Sequence, residues 1–290
     1  MPPLNQEDLN RTLESVQARW RAQDAKGEFG LGYVPGPEDH SLPARELVAR
    51  ANHAAFMASA TFAAPSYPRE IDWRQYAGPA ALLPGNYVTS IKSQGNCGSC
   101  VAFATLSAFE SAVRIRNNNP AVAIDLSEAD LFYCNAEALQ GRRCAGPNSG
   151  WWPDAALDVC QATGVVEEAC FPYSPGDQAC NRCAEPTFSN IAAWQEITAP
   201  SDMKDWLANR GPLITCFTVY DDFYKYQSGV YHHVSGAYSG GHCVSCVGYD
   251  DDQRYWICKN SWDIAWGEGG FFRIAYGQVG IDAAMWALQL

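Results

Sequence analysis

A cysteine at the first turn of a helix is a ready nucleophile, and this chain of 290 residues has one in Ser93-Gln94-Gly95-Asn96-Cys97-Gly98-Ser99-Cys100-Val101-Ala102-Phe103. The free amide N–H groups of a first helical turn carry partial positive charge, which favours thiolate over thiol and predicts a lowered pKa for Cys100. Ala102, Phe103, Leu106, Phe109, Ala112 and Val113 recur at helical spacing, so residues 100–116 are expected to form an amphipathic helix with one buried face. A thiolate still needs a base and a group that orients the base. Gly240-Gly241-His242-Cys243-Val244 offers an imidazole at the start of a strand-like run, and Trp256-Ile257-Cys258-Lys259-Asn260-Ser261-Trp262 offers an amide at Asn260.

His242 and Asn260 follow Cys100 by 142 and 160 residues, in the order Cys, His, Asn. A gap of roughly 130 to 150 residues marks the papain group of cysteine proteases. The second half adds Ser228-Gly229-Val230-Tyr231 and, after Asn260-Ser261-Trp262, the run Trp266-Gly267-Glu268-Gly269-Gly270-Phe271-Phe272. Pro68-Arg69-Glu70-Ile71-Asp72-Trp73-Arg74 is similar to the first residues of mature enzymes of that family. From about residue 68 to residue 286 the chain resembles a papain-like cysteine peptidase of the cathepsin B-like branch, and a bacterial source is expected.

The resemblance implies an α+β, two-lobed fold, with a mainly helical lobe over about 91–185, a β-barrel-like lobe over about 186–290 joined by 68–90, and the active-site cleft between them. It implies that Cys100 attacks a peptide carbonyl, that His242 pairs with the thiolate and then protonates the leaving amine, that Asn260 orients the ring, and that Gln94 donates to the oxyanion. Trp262 would shield the His and Asn pair. Val101 stands where the family usually has an aromatic residue, and Asp263 where it usually has glycine. The substrate-contacting positions implied are Gly150, Trp151, Trp152, Pro153, Cys216, Gly241, Cys243, Trp262 and Ala284. In cathepsin B the position matching Ala284 is a glutamate that admits a basic side chain, so here an apolar residue is expected two places before the cut. The inserted loop with a His pair that gives cathepsin B exopeptidase action is missing between Cys134 and Cys183. His232-His233 falls in the strand-rich half and is expected to be an exposed or hairpin pair, which favours an endopeptidase.

Twelve cysteines are many for a reducing compartment. Cys97, Cys134, Cys144, Cys170, Cys180 and Cys183 sit among loop residues, where cross-links usually occur, and the resemblance implies Cys97 with Cys144 and Cys134 with Cys180. Cys160, Cys216, Cys243, Cys246 and Cys258 lie in apolar helix or strand patterns and are expected to be unpaired buried thiols. Cys-x-x-Cys spacings at 97/100, 180/183 and 243/246 raise a zinc or redox reading. Residues three apart on a strand face opposite ways, however, and no strand-helix-strand unit surrounds Cys97. No metal and no cofactor are expected.

Residues 1–67 read as a propeptide-like leader, with helical stretches Glu7 to Ala25 and Ala44 to Ala60 flanking a Gly- and Pro-rich segment, Gly27 to Pro43. Its Trp20-Arg21-Ala22 is similar to the Trp-x-Ala of cathepsin B-type propeptides, so the leader is expected to lie along the cleft and restrain the enzyme. A second helix is expected over Asp154 to Thr163, and strands over Leu213 to Val219, Cys243 to Tyr249, Tyr255 to Lys259 and Gly270 to Ala275. A net charge of −12 argues against nucleic acid and anionic membranes as partners. No run of about 20 apolar residues spans a bilayer. The expected partners are peptide or protein substrates, cysteine-protease inhibitors and the chain's own leader, acting on a monomer. The N-terminus lacks an apolar signal region, while the loop cysteines point to an extracytoplasmic or secreted setting. Two other functions fit the same residues: peptide binding without catalysis, favoured by Val101 and Asp263, and acyl transfer from a Cys-His-Asn site to an amine.

Overall fold

A computed structural model of the chain describes residues 4–24, 27, 29–36, 42–59, 67–78 and 82–290. Ala25 and Ala60, where the expected leader helices end, lie outside these residues, as do residues 28 and 37–41 of the Gly- and Pro-rich segment. The N-terminal segment opens with α1 (Gln6–Ser15), capped by the Asn5 side chain, which accepts from Glu7 N–H. It stops short of the expected Ala25. Gln17 turns into the left-handed region at φ 51°, and Trp20–Ala22 forms a strand, β1. The second helix of this segment is α2 (Leu42–Ser59).

The helical lobe is built on α3 (Cys100–Arg116), followed by a π-helical segment, Asp130–Glu137, that runs into the short α4 (Ala138–Gln140), and by α5 (Pro153–Ala162) with Pro153 in its first turn. Every residue of α3 from Cys100 to Ser111 is buried, not one face alone. The helix is enclosed between α5 and the sheet, so the one-sided pattern expected from the sequence is overridden by packing on both sides.

The strands are β1, β2 (Glu70–Asp72), β3 (Ala193–Ile197), β4 (Leu213–Tyr220), β5 (Tyr226–Tyr231), β6 (Tyr238–Asp250), β7 (Tyr255–Lys259), β8 (Phe271–Ala275) and β9 (Met285–Gln289), with α6 (Pro200–Asn209) between β3 and β4. They form one sheet in the order β1-β5-β8-β7-β6-β4-β9-β3, with β2 on β6. The sheet is open, ending in β1 and β3, so the barrel expected for this lobe is not closed. All pairings except β5 with β8 are antiparallel. The long strand β6 divides two cores: Val244 and Cys246 belong to the aromatic core of the strand lobe, Cys243 to the core shared with the helical lobe.

Four disulfides are present among the described residues: Cys97–Cys144, Cys134–Cys180, Cys170–Cys183 and Cys216–Cys243. The last corrects the expectation that Cys216 and Cys243 are unpaired. Each sits in an apolar strand pattern, but register places them opposite one another on β4 and β6, and register is a tertiary property that a strand pattern does not disclose. Cys100, Cys160, Cys246 and Cys258 are buried free thiols.

Candidate active site

Cys100 is the first residue of α3, and its sulfur meets the sheet where β6 begins its buried stretch. The amide N–H of Cys243 donates to Cys100 Sγ at 3.4 Å. His242, the preceding residue, is therefore carried to the same place from 142 residues away. Its Nε2 pairs with Asn260 Oδ1 at 2.7 Å, while its Nδ1 is buried with no hydrogen-bond partner among the described residues. Asn260 follows β7 directly, so two adjacent antiparallel strands present the imidazole and the amide at one edge. Asn260 Oδ1 also accepts from Ser261 N–H at 2.8 Å, which fixes the carbonyl oxygen toward the ring. Trp262 is stacked on His242 with ring centroids 4.7 Å apart and is itself enclosed by Phe29, Tyr224 and Trp266.

Gln94 is held on three sides. Its Nε2 donates to Cys97 O at 2.7 Å, its Oε1 accepts from Ser261 Oγ at 2.6 Å, and its backbone N–H donates to Ser261 O at 2.9 Å. An amide NH₂ has two hydrogens, so one remains for another acceptor. Ser261 and Tyr173, whose hydroxyl donates to Gln94 O at 3.0 Å and meets Ser99 Oγ at 2.8 Å, were not singled out in the sequence. Ser261 could have been found as the middle residue of Asn260-Ser261-Trp262, but Tyr173 carries no local signal.

The segment around Gly30 to Val34 crosses this point. Gly30 N–H donates to Gly95 O, Tyr33 N–H to Gly241 O, Val34 N–H to Trp151 O, and Trp151 N–H to Gly32 O at 2.6 Å. The Trp262 indole donates to Gly30 O at 3.2 Å, and the backbone amide of Gly32 faces the Cys100 sulfur. A Cβ at Gly32 would overlap Gly98 O, so only glycine allows this approach. Tyr33 and Leu42 join the same apolar cluster as Cys216, Cys243 and Ala284. Trp152 lies at its edge beneath the Arg142 guanidinium, and Pro153 starts α5 beside it.

Burial decides the electrostatics. It pushes the Cys100 thiol up to about 12, against the opposing pull of the amides of Cys243, Gly32, Val101 and Cys100 itself. It also pushes the His242 imidazole down to about 4, against the Asn260 hydrogen bond. The lowered cysteine pKa expected from the helix start is thus reversed in this form, because desolvation outweighs the helix amides. In both groups burial favours the neutral form.

Asp263 has φ 70°, the left-handed conformation that glycine adopts most easily, and its carboxylate, exposed to solvent, accepts from Ala265 N–H at 3.1 Å. Val101 is fully buried in the core of the helical lobe. His233 pairs through Nδ1 with buried Asp222 at 3.1 Å and stacks on Tyr220, while the His232 carbonyl accepts from Trp20 of the leader. Among the described residues no group of three or more His, Cys, Asp or Glu side chains could hold a metal ion, and no helix is long and apolar enough to cross a membrane.

Residues 67–287 match the family model described as "Papain family cysteine protease". This chain belongs to the papain family of cysteine proteases. It is 33% identical over 287 residues to Cathepsin B-like CP3 of Giardia intestinalis, covering 94% of this chain and 89% of that protein. It is 34% identical over 220 residues to mouse Pro-cathepsin H, covering 73% of this chain and 61% of that protein. The fold is similar to that of proCathepsin B S9 from Trypanosoma congolense, with a TM-score of 0.71 at 21% identity, spanning 100% of this chain and 99% of that one. These relatives are eukaryotic and lend no support to the bacterial source expected from the sequence. As a papain-family member the chain is a thiol protease.

Proposed function

We propose that the protein is a cysteine endopeptidase that cuts peptide bonds through an acyl-enzyme, and that residues 1–67 are a leader holding it inactive in front of a peptidase domain over 68–290. The observation that carries this reading is the junction of Cys100 Sγ with the start of buried β6, beside a His242 whose Nε2 is committed to Asn260 and whose Nδ1 is unoccupied.

In the uncovered site, Cys100 transfers its proton to His242 Nδ1 and the sulfur attacks the carbonyl carbon. The oxyanion takes hydrogen bonds from Cys100 N–H and the spare hydrogen of Gln94 Nε2. The imidazolium Nδ1–H protonates the departing amine, leaving a thioester. Water, deprotonated by the same nitrogen, then releases the acid. Asn260 keeps the ring turned with Nε2 outward through both steps, and Trp262 keeps water off that hydrogen bond.

The leader resists cleavage because of how it meets the thiol. Gly32 offers its N–H to the sulfur, and its carbonyl is taken by Trp151, so at this residue the carbonyl oxygen is not on the oxyanion donors. Cys216, Cys243 and Ala284, with Trp152 at the edge, bound an apolar subsite that favours an apolar residue two places before the cut. Four disulfides fit an oxidising, extracytoplasmic setting.

The test compares the full chain with a chain starting at Tyr67 on Leu-Arg and Arg-Arg reporter peptides, with Cys100→Ala as control. The shorter chain is expected to be faster and to prefer Leu-Arg, and Cys100→Ala to be inactive. Equal rates from the two chains would remove the leader's role, faster Arg-Arg cleavage the apolar subsite, and an active Cys100→Ala the mechanism.

A further inference from the structure

Strand β6 carries two cysteines on opposite faces, and each meets a cysteine of a neighbouring strand. Cys243 faces Cys216 of β4, and this pair is a disulfide. Three residues on, Cys246 faces Cys258 of β7, and this pair is two thiols. Both are fully buried in the strand-lobe core. The two thiols are in hydrogen-bonding contact, and Cys246 S–H also donates to Gly248 O at 3.6 Å.

Directly opposed residues of antiparallel strands have Cα atoms about 4.5 or 5.5 Å apart. A disulfide spans Cα separations of about 4.4 to 6.8 Å, a range that covers such a pairing; the register shifts just after it, between Cys246 and Gly248. Cys160, in the helical lobe, is the counter-example: it is a buried thiol on α5 and has the ordinary place of a small apolar side chain. A face-to-face pair is different, because either residue alone would fill its site equally well as Ala or Val.

We propose that Cys246 and Cys258 are the site of a fifth disulfide, formed during folding by exchange with a small-molecule disulfide and open in the form described here. One thiolate attacks a sulfur of the small disulfide and expels one small thiolate. The second cysteine then attacks the protein sulfur of that mixed disulfide and expels the other. Two protein thiols are oxidised, one disulfide is reduced to two small thiols, and the two protons pass to solvent or to those thiolates. Closure precedes burial of the sheet, since the native core admits no small disulfide. The bridge lies four residues after His242 on β6 and two before Asn260 on β7, so it would tie together the two strands that present the imidazole and the amide. Together with Cys216–Cys243 it would cross-link β4, β6 and β7 in a row.

The test refolds the reduced full chain, carrying Cys100→Ala to prevent self-digestion and mixed disulfides at the nucleophile, in a buffer of reduced and oxidised glutathione. The product is denatured, alkylated with iodoacetamide and mapped without reduction. One alkylated cysteine, Cys160, and a cross-linked peptide containing Cys246 and Cys258 are expected. In Cys258→Ala the cross-link should vanish and Cys246 become alkylated. Should refolding fail, the same map is read on the unsubstituted chain produced in an oxidising secretory host and blocked at Cys100 with an epoxide thiol reagent. Alkylation of both Cys246 and Cys258 while the other four bridges are closed, or glutathione on either cysteine in place of the cross-link, would overturn the proposal.

Discussion

Gly32 and Gln94 show how much a single side chain, or the lack of one, decides here. The chain reaches the thiol at Gly32 because this residue has no Cβ to meet Gly98 O. Gly32→Val should therefore loosen the leader and raise peptide cleavage by the full chain toward that of a chain starting at Tyr67, measured as initial rates side by side. Gln94→Ala removes one of the proposed oxyanion donors, and kcat should fall by about 10² to 10³ with KM little changed. Titration of Cys100 with an epoxide thiol reagent separates that loss from misfolding, because Gln94 also anchors Ser261 and Cys97. Among site residues, Cys100, His242 and Asn260 were legible in the sequence because each lies in a short run of distinctive type. Tyr173 was not, because its place beside Gln94 and Ser99 comes from packing across 79 residues of chain. Asp263 is legible only in reverse: a residue at φ 70° explains why glycine suits that position, and its carboxylate turns to Ala265 and solvent.

Among the elements, α3 is held to the strand lobe by a buried polar seam as well as by apolar contact. Glu110 is 1% exposed. It accepts from Leu126 N–H at 2.8 Å and from Thr89 Oγ1 at 2.5 Å, while Thr89 Oγ1 accepts from Lys259 Nζ at 3.1 Å and Lys92 stands 3.7 Å away. Lys259 ends β7, next to Asn260, and burial lowers its pKa to about 8 against the pull of Glu110 and Glu128. Glu110→Ala would leave the Leu126 N–H and the Thr89 hydroxyl without their buried acceptor, while Lys92 keeps Glu128 and Asp125, and should cost about 1 to 3 kcal/mol of stability, read from chemical denaturation of the chain. Periodicity revealed α3 and the cores of β4, β6, β7 and β8. It misread Trp20–Ala22, which continues a helical pattern but pairs with β5 from Gly229 to Tyr226, and it could not separate one-sided from complete burial of α3. In both cases the deciding contact comes from a distant element.

For the whole molecule, the burial of Cys100 and His242 beneath the segment around Gly32 sets the response to acid. Folded and covered, His242 has its pKa near 4, against an ordinary value near 6.5, so the covered form binds fewer protons between those two values. The linkage sign follows: as pH falls from about 6.5 to about 4, any form in which the ring is solvated gains on the covered one, by up to about 3 kcal/mol, and above about 6.5 the effect vanishes. Leader release, followed as a fluorescence change of Trp262 and its aromatic neighbours or as the onset of cleavage in the full chain, should therefore rise on acidification through that window. A Cys100→Ala chain separates release from cleavage, since its fluorescence should still change. A pH-independent response would show that the ring stays buried when the leader departs.

By itself the sequence determined the chemistry on offer and its order along the chain: a thiol at a helix start, an imidazole before a strand and an amide after another. Residue type and short-range spacing are local, so they can be read without coordinates. Only the tertiary structure decided the open sheet, the Cys216–Cys243 bridge, the burial of Cys100 and the path of residues 30–34 across it. Register between strands and the exclusion of water depend on which distant segments meet, and that is fixed when the two lobes and the leader pack together.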